Sequence, residues 1–328
     1  MKVSVIAGFY NRAPVLERTL RSLVAQSLTD IEILIFDDAS SDNTSSVMTR
    51  LQDELQDSRI RYVRYENNRG FAQGLRDAVA MTKGEFIAIQ GSGDVSLPQR
   101  LEMQSAILES RPDVGAVGCW YTNIEEDSGI ARVRRPDADN TDFDALLRGN
   151  VFSHGEVMIR RSYYDAVGGY RPEFKNCQDY DLWLRIAQVS RIATVPQVLY
   201  ERFIQFDGVT YDVRKLALQS RYSIFARRLA QLGEIETSAS LERLRVDGIE
   251  AVVPLSDRSL QKKYVRGCIR FAVWGASGDA VTMAKGYIAS GWKRRALILF
   301  AKTFNARFFA PGRFVAHAVL GVRRNRDR

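Results

Sequence analysis

Three short acidic clusters stand where this chain is equipped for chemistry, each just after an apolar run or at the start of a helical one. Asp37 and Asp38 open DDASSDNT, directly after IEILIF at 31–36. An acid there either caps the next helix or accepts N–H bonds from a nucleobase in a crevice. Gln90-Gly91-Ser92-Gly93-Asp94 follows EFIAI at 85–89. Its glycines permit close approach of a bulky ligand and Asp94 offers a hard oxygen to Mg2+ or Mn2+, although a plain strand-to-helix turn fits the same letters. Gln178-Asp179-Tyr180-Asp181 begins a helix with apolar Leu182, Trp183 and Ile186, where an acid is either a cap or a general base. Spacing alone leaves these alternatives open.

Other chemistries are poorly supplied. Two histidines leave little for imidazole catalysis, and three distant cysteines (Cys119, Cys177, Cys268) form neither a disulfide framework nor a zinc pattern. The cysteine usage points to a reducing, cytoplasmic compartment. The first apolar run is too short for an export signal, and no stretch reaches about 18 uncharged apolar residues.

The elements that must position the acids follow from periodicity. KVSVIA at 2–7 and IEILIF at 31–36 are strand-like, and Val15, Leu16, Leu20, Leu23 and Val24 recur at helical spacing between them. The pattern repeats through a helix over Val47 to Leu55, a strand at RIRYVRYE, a helix over 72–82 and the strand EFIAI. Such β-α-β-α alternation predicts an α/β fold with a mostly parallel sheet flanked by helices, and it sends GFYNR, DDASSD, ENNRG and QGSGD to one edge. A dinucleotide-binding reading fails because G-x-G-x-x-G does not follow the first strand, and the P-loop, H-E-x-x-H and G-x-S-x-G patterns are absent.

Taken in order, SVIAGFYNR, DDASSDNT, NNRGFAQGLRDAVAMTKGEFIAI, QGSGDVSLPQRLEMQ, HGEVMIRRSYYDAVGGYRPEF and QDYDLWLR resemble the family 2 inverting glycosyltransferases of GT-A, Rossmann-like fold, over residues 2–205. The resemblance implies a sugar transferred from a nucleotide-diphosphate donor, a UDP-sugar, to a saccharide or lipid-linked saccharide, as in cell-surface polysaccharide synthesis. It implies that Asp38 recognises the base beside backbone from Gly8 to Tyr10, that Asn68 and Gly70 shape the nucleotide wall, and that Asp179 is the catalytic base. His154, Gln178 and Ser92 would border donor sugar and acceptor. The family's D-x-D motif falls on Gly91 and Gly93, so Asp94 is left as the ligand for Mg2+ or Mn2+. That departure keeps a second reading alive, a catalytically silent nucleotide-sugar-binding protein. Asp181 is expected to support the helix start with Arg185 four residues on.

Charge separates the tail from the body. The chain has 47 Lys+Arg against 39 Asp+Glu, yet residues 251–328 hold 16 of the bases and 3 of the acids. The first 250 residues are therefore net acidic, which argues against a nucleic-acid partner. Domains are expected at 1–215, the transferase domain, and 216–328, a helical basic appendage. Its aromatics (Trp274, Tyr287, Trp292, Phe300, Phe304, Phe308, Phe309, Phe314) alternate with Lys293, Arg294, Arg295, Lys302, Arg307 and Arg313. That mixture suits either an anionic membrane surface or a helical subdomain with a solvated face. The expected location is cytoplasmic, peripheral on the inner face of the membrane.

Overall fold

A computed structural model describes residues 1–137, 142–204 and 212–304. The chain divides into two compact units, Met1–Phe206 and Asp207–Arg328. The division comes before the expected boundary at 215, which would have cut a helix belonging wholly to the second unit.

In the first unit the expected alternation appears as β1 (Val3–Phe9), α1 (Ala13–Val24), β2 (Ile31–Asp37), α2 (Thr44–Leu55), β3 (Ile60–Arg64), α3 (Phe71–Ala80) and β4 (Phe86–Gln90). There follow β5 (Val95–Ser96), α4 (Arg100–Ser110), β6 (Val114–Glu125), β7 (Ala131–Arg134) and α5 (Phe143–Arg148). A 3-10 turn at His154–Glu156, β8 (Met158–Arg160), α6 (Arg161–Ala166), α7 (Gln178–Val189) and β9 (Arg191–Ile204) complete it. Pro14 lies in the first turn of α1, where its fixed φ already suits a helix, and Val15, Leu16, Leu20 and Leu23 form the buried stripe. Strands β1 and β4 are buried throughout, so they read as continuous apolar runs rather than alternating ones.

The described strands form one sheet in the order β3-β2-β1-β4-β8-β6-β9-β5, with β7 added on β6. Strands β3, β2, β1 and β4 are mutually parallel. β8 runs antiparallel between β4 and β6, and β6 pairs in parallel with β9. Parallel pairing of the first four strands brings the loops after all of them to the same edge, where open α/β sheets bind their ligands. The core is made of Val3, Val5, Leu16, Ile33, Ile35, Phe86, Leu101 and their neighbours, all nearly inaccessible.

The second unit is helical: α8 (Val213–Leu229), α9 (Glu234–Asp247), α10 (Ile249–Val252), α11 (Arg258–Val273), α12 (Ser277–Tyr287) and α13 (Gly291–Phe304). It has its own core, including Phe225, Leu260, Tyr264, Phe271 and Met283. Asp257 caps α11 by accepting from the Leu260 amide at 2.9 Å, and a Cβ on Gly267 would stand 2.9 Å from Met283 Sδ, so α11 and α12 approach closely there. Among the described residues no helix is long and apolar enough to cross a membrane.

Candidate active site

The two acids that end β2 face different partners. Asp37 is fully buried; its Oδ1 accepts from the Ser40 amide at 2.8 Å and its Oδ2 from the Tyr62 hydroxyl at 2.9 Å. Burial, reinforced by Asp37, pushes the Tyr62 phenol up to about 12. Asp38 clamps the β3–α3 loop instead, accepting from the Arg69 amide at 2.7 Å and the Gly70 amide at 3.0 Å. Asn68 completes the clamp by donating through Nδ2 to the Asp38 carbonyl at 3.1 Å. Gly70 has φ +81°, a conformation that side chains disfavour, so the clamp requires glycine.

Tyr10 stands 51% exposed beside this clamp, in a loop laced to the next one by Asn11, whose Oδ1 accepts from the Ser41 amide at 2.8 Å. Gly8 is different. It is buried in β1 beneath Phe36, whose ring would lie 2.2 Å from a Cβ there, and Gly74 of α3 gives way to the same ring at 2.5 Å. Its smallness serves helix-on-sheet packing, which leaves only its backbone to stand beside a nucleotide base. Among the described residues four non-glycines have positive φ, and Asn11, Ala39 and Cys177 are three of them. All three lie in the loops that carry the candidate residues, where backbone strain tends to be stored.

The 91–94 turn is built inward. Asp94, 8% exposed, accepts from the Tyr200 hydroxyl through Oδ2 at 2.7 Å and from the Phe203 amide through Oδ1 at 3.0 Å. Burial raises its carboxyl above the ordinary range. A Cβ on Gly91 would meet Asp94 Oδ2 at 2.1 Å, and Gly93 has φ +97°. Both glycines are thus demanded by the packing that draws Asp94 in. Ser92, half-buried, is the side chain left between them. As folded, both Asp94 oxygens are bonded to β9. To present a carboxylate to Mg2+ or Mn2+, Asp94 would have to turn away from one of these bonds.

Behind the turn lies a buried polar network. Arg100, wholly inaccessible, donates to Gln90 Oε1 at 3.1 Å, Ser96 Oγ at 2.8 Å and the Ile89 carbonyl at 2.9 Å. Gln90 in turn holds the Asp94 carbonyl at 2.9 Å. A buried guanidinium satisfied by neutral acceptors fixes the turn without forming an ion pair.

Asp179 sits in the first turn of α7, half-buried, and its Oδ2 accepts from Asn150 Nδ2 at 3.0 Å. Gln178 is its half-buried neighbour at the helix start. His154 lies close enough to feel the Asp179 charge, but burial outweighs it and lowers the ring's basicity. Its Nε2 is 2.7 Å from the Tyr170 hydroxyl, and its ring meets Phe71, Tyr170 and Trp183 edge-on at 5.6 to 6.1 Å. Asp181 is buried and pairs with Arg171 at 3.0 Å and Arg185 at 2.6 Å. Its role is structural.

These contacts join the loops. Phe71 follows the Gly70 clamp and touches His154, His154 neighbours Asp179, and the Cβ direction of Gly155 points to within 2.8 Å of the Gly91 nitrogen. Three participants escaped the sequence reading: Asn150, Tyr200 and Glu156. Asn150 carries no motif, and Tyr200 ends an ordinary apolar strand. Glu156 stood in plain view in HGEV, two residues beyond His154, where an acid flanked by apolar residues is a signal of burial.

Residues 4–168 match the model of the family described as glycosyl transferase family 2. A relative named putative glycosyltransferase EpsE, from Bacillus subtilis (strain 168), is 34% identical over 187 residues, 56% of this chain and 66% of that one. The amylovoran biosynthesis glycosyltransferase AmsE of Erwinia amylovora is 31% identical over 201 residues, 60% of this chain and 74% of its own. Among solved structures, that of S. aureus TarS 1-349 in complex with UDP-GlcNAc superposes with TM-score 0.57 at 15% identity, covering 99% of this chain and 93% of that one. At that identity the likeness concerns the fold, and it agrees with the GT-A arrangement of sheet and helices.

Proposed function

The chain belongs to glycosyl transferase family 2, and from that membership we propose that it moves a sugar from a UDP-sugar to a saccharide or lipid-linked saccharide with inversion at the anomeric carbon. The observation that carries the reading is Asp179, held through Oδ2 by Asn150 and close to His154. An acceptor hydroxyl attacks only as its proton leaves, and a half-buried carboxylate with one oxygen anchored is suited to take that proton through the other. The new bond forms between the acceptor oxygen and the anomeric carbon while the bond to the diphosphate breaks, and Asp179 then returns the proton to solvent. Attack from the opposite face turns an α-linked donor into a β-linked product.

Tyr10, Asp38, Asn68 and Gly70 form the proposed nucleotide wall, with Ser92, His154 and Gln178 bordering the sugar. UDP-GlcNAc in the TarS structure and amylovoran synthesis in the AmsE name support the donor and the polysaccharide setting. No cation is assigned to Asp94 in this scheme. The silent-binder reading draws on Gly91 and Gly93 standing where the family carries acids, and turnover separates the two. Incubation with UDP, GDP, CMP and dTDP sugars should give thermal stabilisation and donor hydrolysis with the UDP-sugar. Stabilisation without any turnover would favour the silent binder. We also place the protein at the cytoplasmic face of a membrane through α13, where Trp292 is 71% and Leu299 63% exposed, seven residues apart on one face with Arg295.

A further inference from the structure

A groove of about 700 Å3 opens between the β6–β7 hairpin and α5, and its walls include Tyr121, Arg134, Arg135, Asp137, Arg148 and Asn150. We propose that it seats the acceptor by an anionic group, either a uronate carboxylate or the diphosphate joining a saccharide to its carrier. Among the described residues that line it, three arginines stand against one acid, Asp137, so this lining is net cationic. Arg134 and Arg148 are exposed and make no ion pair with a described residue, whereas nearby Arg132 is matched to Glu125 at 4.0 Å. Arg135 lies over the Trp120 ring at 5.3 Å, which holds its planar fork in place. Guanidinium groups of this kind recognise carboxylate and phosphate oxygens in pairs.

A second observation ties the groove to the chemistry. Asn150 lines it and also donates to Asp179 at 3.0 Å, so a ligand anchored on the arginines has its near end beside the proposed base. The inference rests on the proposed transfer reaction only for calling the ligand an acceptor; the anion site stands on the groove itself. It also supplies a reason for basic side chains in a unit whose overall charge is acidic.

The test is calorimetric titration of the intact protein, at low and moderate salt, with three probes: a hyaluronan tetrasaccharide, neutral chitotetraose, and a short-chain prenyl diphosphate-linked N-acetylglucosamine. The expected result is that at least one anionic probe binds about tenfold or more tighter than chitotetraose, with the preference shrinking as salt rises. The Arg134→Gln/Arg148→Gln double variant should lose that preference, and Arg134→Lys/Arg148→Lys should keep part of it. Dependence of the tetrasaccharide alone on the arginines identifies an acidic sugar; dependence of the prenyl probe alone identifies the carrier diphosphate. Equal binding of all three probes by wild type, or a preference that survives the double Gln substitution, overturns the proposal. UDP titration of each protein separates the two readings, since loss of UDP binding by wild type strikes the proposed function and leaves the groove result standing.

Discussion

The Glu156 carboxyl is fully buried, with Oε1 accepting from the Ser153 amide at 3.0 Å and Oε2 without a partner. Burial pushes it up to about 8 from an ordinary 4.5. The folded state therefore keeps a proton that the unfolded chain gives up, so the stability from the neutral acid is present below about 4.5 and lost as pH rises towards 8. Glu156→Gln removes this titration. Its melting temperature should fall less than that of wild type between pH 5 and 8.5, by an amount equivalent to about 1 kcal/mol per pH unit. Parallel curves for the two proteins would show that Glu156 is ionised in the fold. At this scale the sequence revealed residue types better than their orientation. Asp38 and Asp94 were both visible as acids at strand ends, but whether a carboxylate faces a ligand or the chain's own amides depends on partners 31 to 109 residues away.

At the scale of elements, the 91–94 turn and β9 act as one piece. Gly91, Asp94, Tyr200 and Phe203 are mutually locked, so restoring the family's first acid should fail to restore a cation site. Gly91→Asp would drive a Cβ to 2.1 Å from Asp94 Oδ2, and overpacking of that kind costs about 1–3 kcal/mol. Chemical denaturation of the variant checks it; unchanged stability would mean that the turn is free to open. The same lock predicts that Asp94→Asn changes the Mn2+ dependence of sugar transfer little, and a large loss of Mn2+ stimulation in that variant would contradict it. The strands and helices up to β4 were legible because β-α alternation writes its period locally. The pairing of β9 with β6, and of β5 with β9, was not, because it joins segments far apart in sequence. That pairing decides where Asp94 points.

The whole molecule combines an acidic body with a basic helical unit. If the exposed face of α13 meets anionic lipid, truncation before Gly291 should release the protein from phosphatidylserine vesicles at low salt while UDP binding persists, each basic residue near the surface contributing about 1 kcal/mol. Equal co-sedimentation of the truncated protein would assign the unit to a solvated helical subdomain. Phe308, Phe309, Phe314, Arg307 and Arg313, which contributed to the expectation, lie outside the described residues. Charge marks the C-terminal part as basic, but the expected boundary at 215 falls inside α8, two residues after its start. The proposed chemistry turns on Asp179. Its most direct measurement is the turnover of a UDP-sugar with a saccharide acceptor by wild type and Asp179→Asn, alongside UDP-sugar affinity for each. Loss of about 10²–10⁴-fold in turnover with affinity little changed is the predicted result. Full activity in Asp179→Asn would contradict the assignment of the base, and with it the mechanism proposed for this edge of the sheet.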